Sequence, residues 1–440
     1  MATATKIQLS PSTDSGVYSS GVREDAARVA SEVLQDDMAA HHVFFNERGF
    51  HNHIVHQILT IYALGASPDD IRSAYDRSKS YQRPVFLVDT NLVTALHEKT
   101  TFQASLGKEK NYATFLTFFQ EEIESKGVGD VLNEYVFSGD ERAESMLLRL
   151  FGGLLHPLIH LGFGIEFNQP AIVAQALAQT AVHKEGFGRK YFLPAEQMAG
   201  GIGQPGSKSL LQLLNEIRAN TALKESVKYS DPSNIADGVL TRAPQEMLKY
   251  ASQFTVSTDQ VEERLADMIN TVVYYTTAAQ RPNKEVKLDF FYLHAVNSSI
   301  FLSKIMNLPS LDQRTKLRLL EWKGRINLLL YVAYGSPDLL VDEVARYPAR
   351  QDWATIFSRS VKHHRDDGHL AKFARAVAHA QKVCEQAESR GVQAMPISGD
   401  MWLRIGNMAL DSTVGETMWI RSAGFDEAWE NLATRERQRL

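Results

Sequence analysis

Apolar residues recur at three- and four-residue spacing along most of this 440-residue chain. Nowhere do they alternate with polar ones over a strand-length run closed by a hairpin turn. Such a chain buries its apolar stripes by packing helix on helix, so the expected fold class is all-α. Met146, Leu147, Leu150 and Phe151 form one such stripe. The period predicts helices from Val22 to about Met38 and over residues 50–65, 111–125, 141–152, 170–184, 207–219, 260–279, 285–306, 311–334, 352–363, 368–388 and 400–411. Ser67-Pro68-Asp69-Asp70 marks a further start, a capping residue followed by proline in the first turn. Only residues 83–95 could pass for a strand, and a helix from Leu92 reads equally well. Residues 1–20, rich in Ser, Thr, Pro and Gly, show no period and are expected to be extended or disordered. The remainder, 21–440, has no marked linker and is expected to form one large multi-helix unit or two closely packed halves.

Charge and composition exclude several function classes. The net charge of −5 argues against nucleic acid as a partner, which needs a basic face. No apolar run is long enough to span a bilayer, and the polar start lacks the pattern of a secretory signal. A single cysteine, Cys384, rules out an intrachain disulfide and fits a reducing, cytoplasmic setting. Cys384 lies in a helical pattern and reads as a packing residue.

The chemistry-bearing residues are histidines set in apolar helical runs. Gly49-Phe50-His51-Asn52-His53-Ile54-Val55-His56 leads into an apolar run from Ile58 to Leu64, and His53 and His56 share a face if both are helical. His156 and His160, four apart, stand among Leu154, Leu155, Leu158, Ile159 and Leu161, with Pro157 starting or kinking the helix. His294 follows Phe290, Phe291 and Tyr292. His369 and Lys372 are three apart after Asp366 and Asp367, either of which can cap the helix. Buried imidazoles need hydrogen-bond partners or a metal. A lysine in such a place either extends to solvent or, neutral and desolvated, can add carbon dioxide to give an anionic oxygen donor.

The blocks GFHNHIVHQILTIYALGAS, GGLLHPLIHLGFGIEF, DFFYLHAVNSS and DDGHLAKFARA, with the closing run from Met418 to Trp429, resemble the questin oxidase-like family of fungal oxygenases. The likeness runs from about residue 40 to 430. It implies oxidative, Baeyer–Villiger-like cleavage of an anthraquinone-type aromatic polyketide in secondary metabolism, using O2 and reduced nicotinamide. It also implies Fe(II) held by four histidines and a carboxylated lysine. On that pattern Lys372 is the modified lysine, and His369 and His294 are ligands. The others come from His53/His56 and His156/His160, with His56 and His160 favoured and His156 next. Five donors would leave one octahedral position open, so the aromatic substrate is expected beside the metal, with Tyr62, Phe163, Phe291 and Tyr292 as candidate lining residues.

Other readings remain open. Histidines with a carbamylated lysine also suit a zinc hydrolase, and packed histidines suit a non-enzymatic helical scaffold. The G-x-G-x-x-G at Gly201, Gly203 and Gly206 lacks a preceding strand, and Pro205 removes an amide, so it reads as a loop. With no nicotinamide fold in view, NADPH is expected to act directly on the quinone or through a separate reductase. Lys362-His363-His364-Arg365 reads as a solvated run.

Overall fold

In the computed structural model, which describes residues 1–392 and 395–435, the protein is 62% helical with two short strands. The fold is all-α. The longer helices are α1 (Glu24–Ala40), α2 (Ile54–Ala63), α3 (Pro68–Lys79), α4 (Tyr112–Lys126), α5 (Glu141–Leu150), α6 (His156–Glu166), α7 (Pro170–Val182), α8 (Gly188–Met198), α9 (Leu210–Arg218), α10 (Val261–Ala278), α11 (Phe290–Ile305), α12 (Gln313–Ala333), α13 (Trp353–Val361), α14 (His369–Ser389) and α15 (Met401–Ser412). Two-residue strands β1 (Leu288–Asp289) and β2 (Trp419–Ile420) pair in parallel. The chain divides into two compact units. The first comprises Met1–Gly188, Ser303–Asp312 and Val361–Arg375, and the second Arg189–Leu302, Gln313–Ser360 and Ala376–Leu440.

In the first unit α2 is apolar on every side, and all ten of its residues are buried, as an all-round hydrophobic helix must be. It packs against α1, α3 and α6, and α7 packs between α6 and α4. Each of its buried Ile and Leu side chains contributes about 1.5–3 kcal/mol at most. Serine at 67 caps α3 in a reciprocal box with Asp70, as its position before Pro68 predicts. Residues 83–95 resolve into a helical turn at Thr90–Ala95 and an isolated bridge, His41 to Pro84. The first twenty residues form no helix or strand, yet Ala4, Ile7, Leu9 and Val17 are buried. Ser20 N donates to Ala63 O (2.8 Å), and Gln8 and Gln169 exchange two hydrogen bonds. Glu166 and Arg375 form an ion pair with both side chains fully buried.

In the second unit Trp322 of α12 stacks on Phe192 of α8 (4.4 Å between centroids), and Gly324 lets Phe254 lie against the α12 backbone. Arg325 pairs with Glu321 one turn away, both fully buried. Asp289 accepts from the backbone N–H groups of Phe291, Tyr292 and Ala423, so one carboxylate caps α11 and holds the C-terminal segment. The glycine-rich loop at 199–209 follows helix α8, not a strand. Cys384 is buried, with its thiol pushed up to about 12 by burial, and it accepts from the Asn270 amide.

Candidate metal centre

Three helix starts in the first unit meet at an imidazole cluster. His53 is the capping residue of α2, just outside the helix. The helix begins at Ile54, whose N–H is taken by Asn52 Oδ1 (2.9 Å), so His53 stands just outside it and His56 inside, with their rings 5.8 Å apart. His156 opens α6, with Pro157 in its first turn. His369 opens α14. One ring nitrogen from each of these three lies within 4.8 Å of the others.

The proton positions on these rings follow from their neighbours. His156 Nδ1 lies 2.6 Å from Gly153 O, and a carbonyl only accepts, so that nitrogen carries the proton. His369 Nδ1 lies 2.5 Å from Asp367 Oδ1, and His53 Nδ1 lies 2.8 Å from Asp367 Oδ2. A carboxylate also only accepts, so His369 Nδ1 is N–H, and a proton on His53 Nδ1 would face the other oxygen of Asp367. Burial holds His53 near 4, against the opposing pull of Asp367, so its imidazole is neutral, and with its proton on Nδ1 beside Asp367 its Nε2 bears a lone pair. His53 Nε2 and His156 Nε2 nevertheless face each other at 2.8 Å. Two lone pairs at that separation repel unless a cation lies between or beside them. Cis ligands around an ion with metal–nitrogen bonds of about 2.1 Å stand roughly 3 Å apart, so the spacing fits a shared metal. An outer carboxylate or carbonyl fixing Nδ1–H is how metal-bound histidines are oriented.

The surrounding groups extend the cluster. The His56 ring lies 5.8 Å from that of His53 and 5.2 Å from that of His160, and Phe163 stacks on it at 5.5 Å. Neither ring nitrogen of His56 has a hydrogen-bond partner among the described residues, a costly state for a buried polar group without a ligand. Burial, reinforced by Lys372 and the neighbouring imidazoles, pushes His56 far down, and burial holds His160 near 3. Neutral imidazole is the metal-binding form. Lys372, one turn into α14, is buried; burial pulls its pKa down, opposed by Asp367 and Asp366. Burial raises Asp367, but the His369 and His53 rings more than offset it and hold the carboxyl well below its usual range. Asp366, pushed up to about 6 by burial and by Asp367, accepts from the Gly368 and Leu370 amides and caps α14.

Local backbone geometry holds these parts in place. Gly153, Leu154 and Leu155 all have positive φ (50°, 52° and 67°), and left-handed leucines cost about 1–3 kcal/mol each. This turn aims Gly153 O at His156. A Cβ on Gly153 would come within 2.2 Å of His183 Nε2 and 2.9 Å of His51 Cε1. His51 stacks on His156 (4.1 Å, 5° between planes), and His183 stacks on His51 (5.4 Å, 2°). Gly368 (φ +99°) brings the start of α14 onto Gln57, where a Cβ would meet side chain and backbone at 2.9–3.0 Å.

Of the residues singled out in the sequence, His56, His156, His160, His369, Lys372 and Phe163 thus gather in one place, with His53 rather than His56 in the tightest trio. Tyr62 lies on α2 with its ring 5.9 Å from that of Phe167. His294 belongs to the second unit, where it is buried and its Nδ1 lies 2.7 Å from Phe290 O, so it too presents Nε2 as the lone-pair nitrogen. Also in that unit, Phe291 stacks on Tyr334 (4.0 Å) and Tyr292 donates to Tyr331 O (3.0 Å). Three residues escaped the sequence reading: Asp367 as the orienting carboxylate, and His51 and His183 as the stacked column. An acidic residue two positions before His369 was the available signal for the first.

A profile of questin oxidase-like proteins matches residues 50–377, a span holding the whole cluster. The chain belongs to the questin oxidase-like family. Its relatives include the Baeyer-Villiger oxidase ptaJ of Pestalotiopsis fici, 41% identical over 413 residues and 92% of each chain. The questin oxidase of Aspergillus terreus is 38% identical over the full length of both chains, and that of Aspergillus fumigatus 37% identical over 98% of this chain and 99% of its own. This questin oxidase-like protein is therefore an oxidoreductase. Among its described residues no single helix is long and apolar enough to cross a membrane.

Proposed function

We propose that this enzyme uses O2 to insert an oxygen atom beside a carbonyl of an anthraquinone-type polyketide, at a non-haem Fe(II) centre, giving a lactone whose hydrolysis opens the ring. The observation that carries the reading is the close approach of His53 Nε2 and His156 Nε2, 2.8 Å apart, within a cluster of buried imidazoles. Full-length similarity to questin and Baeyer-Villiger oxidases supports the substrate class. His53, His156 and His369 would hold the iron, and a fourth histidine would come from His56, His160 or, on the family resemblance alone, His294. Lys372 would add carbon dioxide and provide an anionic oxygen donor.

When bound, iron supplies the redox centre for dioxygen chemistry with imidazole and oxygen ligation. The chain's own residues do the rest. Asp367 keeps the protons of His53 and His369 on Nδ1, so that Nε2 stays available. Burial keeps His53, His56 and His160 neutral and excludes bulk water. The stoichiometry places one oxygen atom between the carbonyl carbon and the ring and releases the other as water; a water molecule then cleaves the resulting ester into carboxylic acid and phenol, which opens the ring. The insertion requires two electrons and two protons, supplied by NADPH acting on the quinone or through a separate reductase. The soluble compartment proposed is the cytoplasm.

The test is metal analysis of the purified protein combined with turnover of an anthraquinone under 18O2. Stoichiometric iron and one 18O atom in the ring-opened product support the reading. Stoichiometric zinc with oxygen-independent turnover would replace it with a hydrolase.

A further inference from the structure

The three helices that bring imidazoles to the centre are tied together a second time, away from it. His56 lies in the first turn of α2, and Ala63 is the last residue of that helix. His156 opens α6 and Glu166 ends it; on α14, Arg375 comes one turn after Lys372. Glu166 and Arg375 pair with both side chains fully buried, one contact being 3.1 Å from Arg375 Nη1 to Glu166 Oε2. Arg375 has a third partner, since its Nε donates to Tyr18 O (2.8 Å). Two residues further on, Ser20 N donates to Ala63 O (2.8 Å). One short piece of the N-terminal segment therefore binds α14, reaches α6 through Arg375, and binds the end of α2.

That segment is a strap. Residues 1–20 form no helix or strand and are gripped by their main chain. Gln35 accepts from Ile7 N (2.9 Å) and donates to Thr5 O (3.1 Å). Ser31 accepts from Leu9 N (2.9 Å), and Lys304 donates to Asp14 O (2.9 Å). An extended segment held in this way opens locally without unravelling a helix. From the strap a column of packed groups leads back to the centre. The Arg375 guanidinium lies 5.8 Å from the centre of the Phe167 ring. Phe167 stacks on Phe163 (6.5 Å, 16° between planes), and Phe163 stacks on His56 (5.5 Å, 27°). Close-packed side chains transmit a displacement at one end to the other.

We propose that Arg375 is a positioning residue for the metal centre: it latches the N-terminal strap to α6 and α14, so that docking of the strap and binding of the metal favour each other. The coupling rests on the metal-centre reading above. Linkage makes it reciprocal, because a strap that holds the ligand helices in their metal-binding arrangement is itself held more firmly once the metal is bound.

The experiment uses the full-length protein and Co(II) as the probe metal. It measures amide hydrogen exchange in residues 1–22 with and without Co(II), and Co(II) affinity by competition against a chromophoric chelator. Metal loading should slow exchange at the Ile7, Leu9 and Ser20 amides by roughly 5-fold or more. Arg375→Lys keeps a cation for Glu166 but cannot serve Tyr18 O and both carboxylate oxygens at once. Ser20→Pro, outside every helix, removes the donor to Ala63 O. Each variant should speed exchange of the strap and weaken Co(II) binding by roughly 2- to 30-fold, with far-UV circular dichroism unchanged. Ser20→Pro decides the matter if Arg375→Lys does not fold. If the wild type binds Co(II) but strap exchange does not respond, or if the variants free the strap while Co(II) affinity stays at the wild-type value, the latch is overturned and the metal centre stands. If the wild type binds no Co(II), the metal centre fails and the latch with it.

Discussion

Replacing Asp367 by asparagine tests the logic of the centre most directly. The carboxylate uses one oxygen for His369 Nδ1 (2.5 Å) and the other for His53 Nδ1 (2.8 Å). Asparagine is nearly the same shape but has one acceptor; its other end is an NH2 donor. Whichever way the amide turns, one histidine meets donor against donor. That ring must rotate or move its proton to Nε2, and either change removes a lone pair from the trio. Loss of an orienting partner typically costs 10- to 100-fold in metal affinity, about 1.4–2.7 kcal/mol. The assay is anaerobic competition for Fe(II), or Co(II) as a probe, against a chromophoric chelator, with far-UV circular dichroism to establish that the helices persist. Asp366→Asn is the control. Asp366 caps α14 through one oxygen, which an amide oxygen can replace, and its other oxygen stands 3.9 Å from His369 Nδ1, beyond hydrogen-bond reach, so its loss should lower metal affinity far less than that of Asp367. Equal affinities for Asp367→Asn and wild type, or equal losses at both positions, would refute the assignment of Asp367 as the orienting carboxylate.

Other outcomes follow from the same geometry. Lys372→Ala should lower iron affinity by about tenfold or more while leaving helix content intact, and bicarbonate should improve iron loading of the wild type but not of the variant; full iron and activity in Lys372→Ala would end the carbamate proposal. His51→Ala removes the ring stacked on His156 and should weaken metal binding by roughly 2- to 12-fold, whereas His51→Phe should keep most of it. Gly153→Ala forces a Cβ into His183 at a positive φ and should cost about 2–5 kcal/mol in urea denaturation. His42 and His53 are held near 4 and His160 near 3 by burial, below the unfolded value of about 6.5. Their neutral forms stabilise the fold fully above about pH 6.5, and that contribution is lost as pH falls towards 4, at roughly 1.4 kcal/mol per pH unit for each histidine. Metal-free protein should therefore show a steep fall in urea midpoint from pH 6.5 to 4.5, and a flat profile there would contradict the burial.

Much of the fold is legible because helical period survives in any single sequence. The predicted segments at 311–334 and 368–388 meet Gln313–Ala333 and His369–Ser389 almost end to end. The site is less legible, for identifiable reasons. The His53/His56 spacing does not tell which of the two joins the tight trio, because a hairpin and the Asn52 side chain on the Ile54 N–H, not the apolar run, decide where α2 begins. Asp366 and Asp367 are interchangeable as letters, and only the turn at Gly368 (φ +99°) gives one the cap and the other the two imidazoles. The left-handed Leu154 and Leu155 have no sequence signal at all, since leucine gives no hint of positive φ. Residues 1–20 have a loop-like composition, while Ile7 and Leu9 are buried.

The electrostatics of the cluster bear on the one residue whose chemistry is most at issue. His53, His156 and His369 all stand at helix N-termini, where the backbone dipole carries a partial positive charge. Three such termini favour anions, so they keep the imidazoles neutral but also oppose a divalent cation. Asp367 supplies one full negative charge within reach of two of the three rings. Lys372 as an ammonium ion would cancel it. Carbamylation changes Lys372 from +1 to −1, a swing of two charges at a buried position where screening is weak. The same three helix starts that make a metal site with neutral ligands alone unfavourable make an anionic Lys372 favourable. Metal binding and carbon dioxide uptake are therefore expected to rise together: apparent iron affinity should increase with bicarbonate concentration in the wild type and should not respond to it in Lys372→Ala.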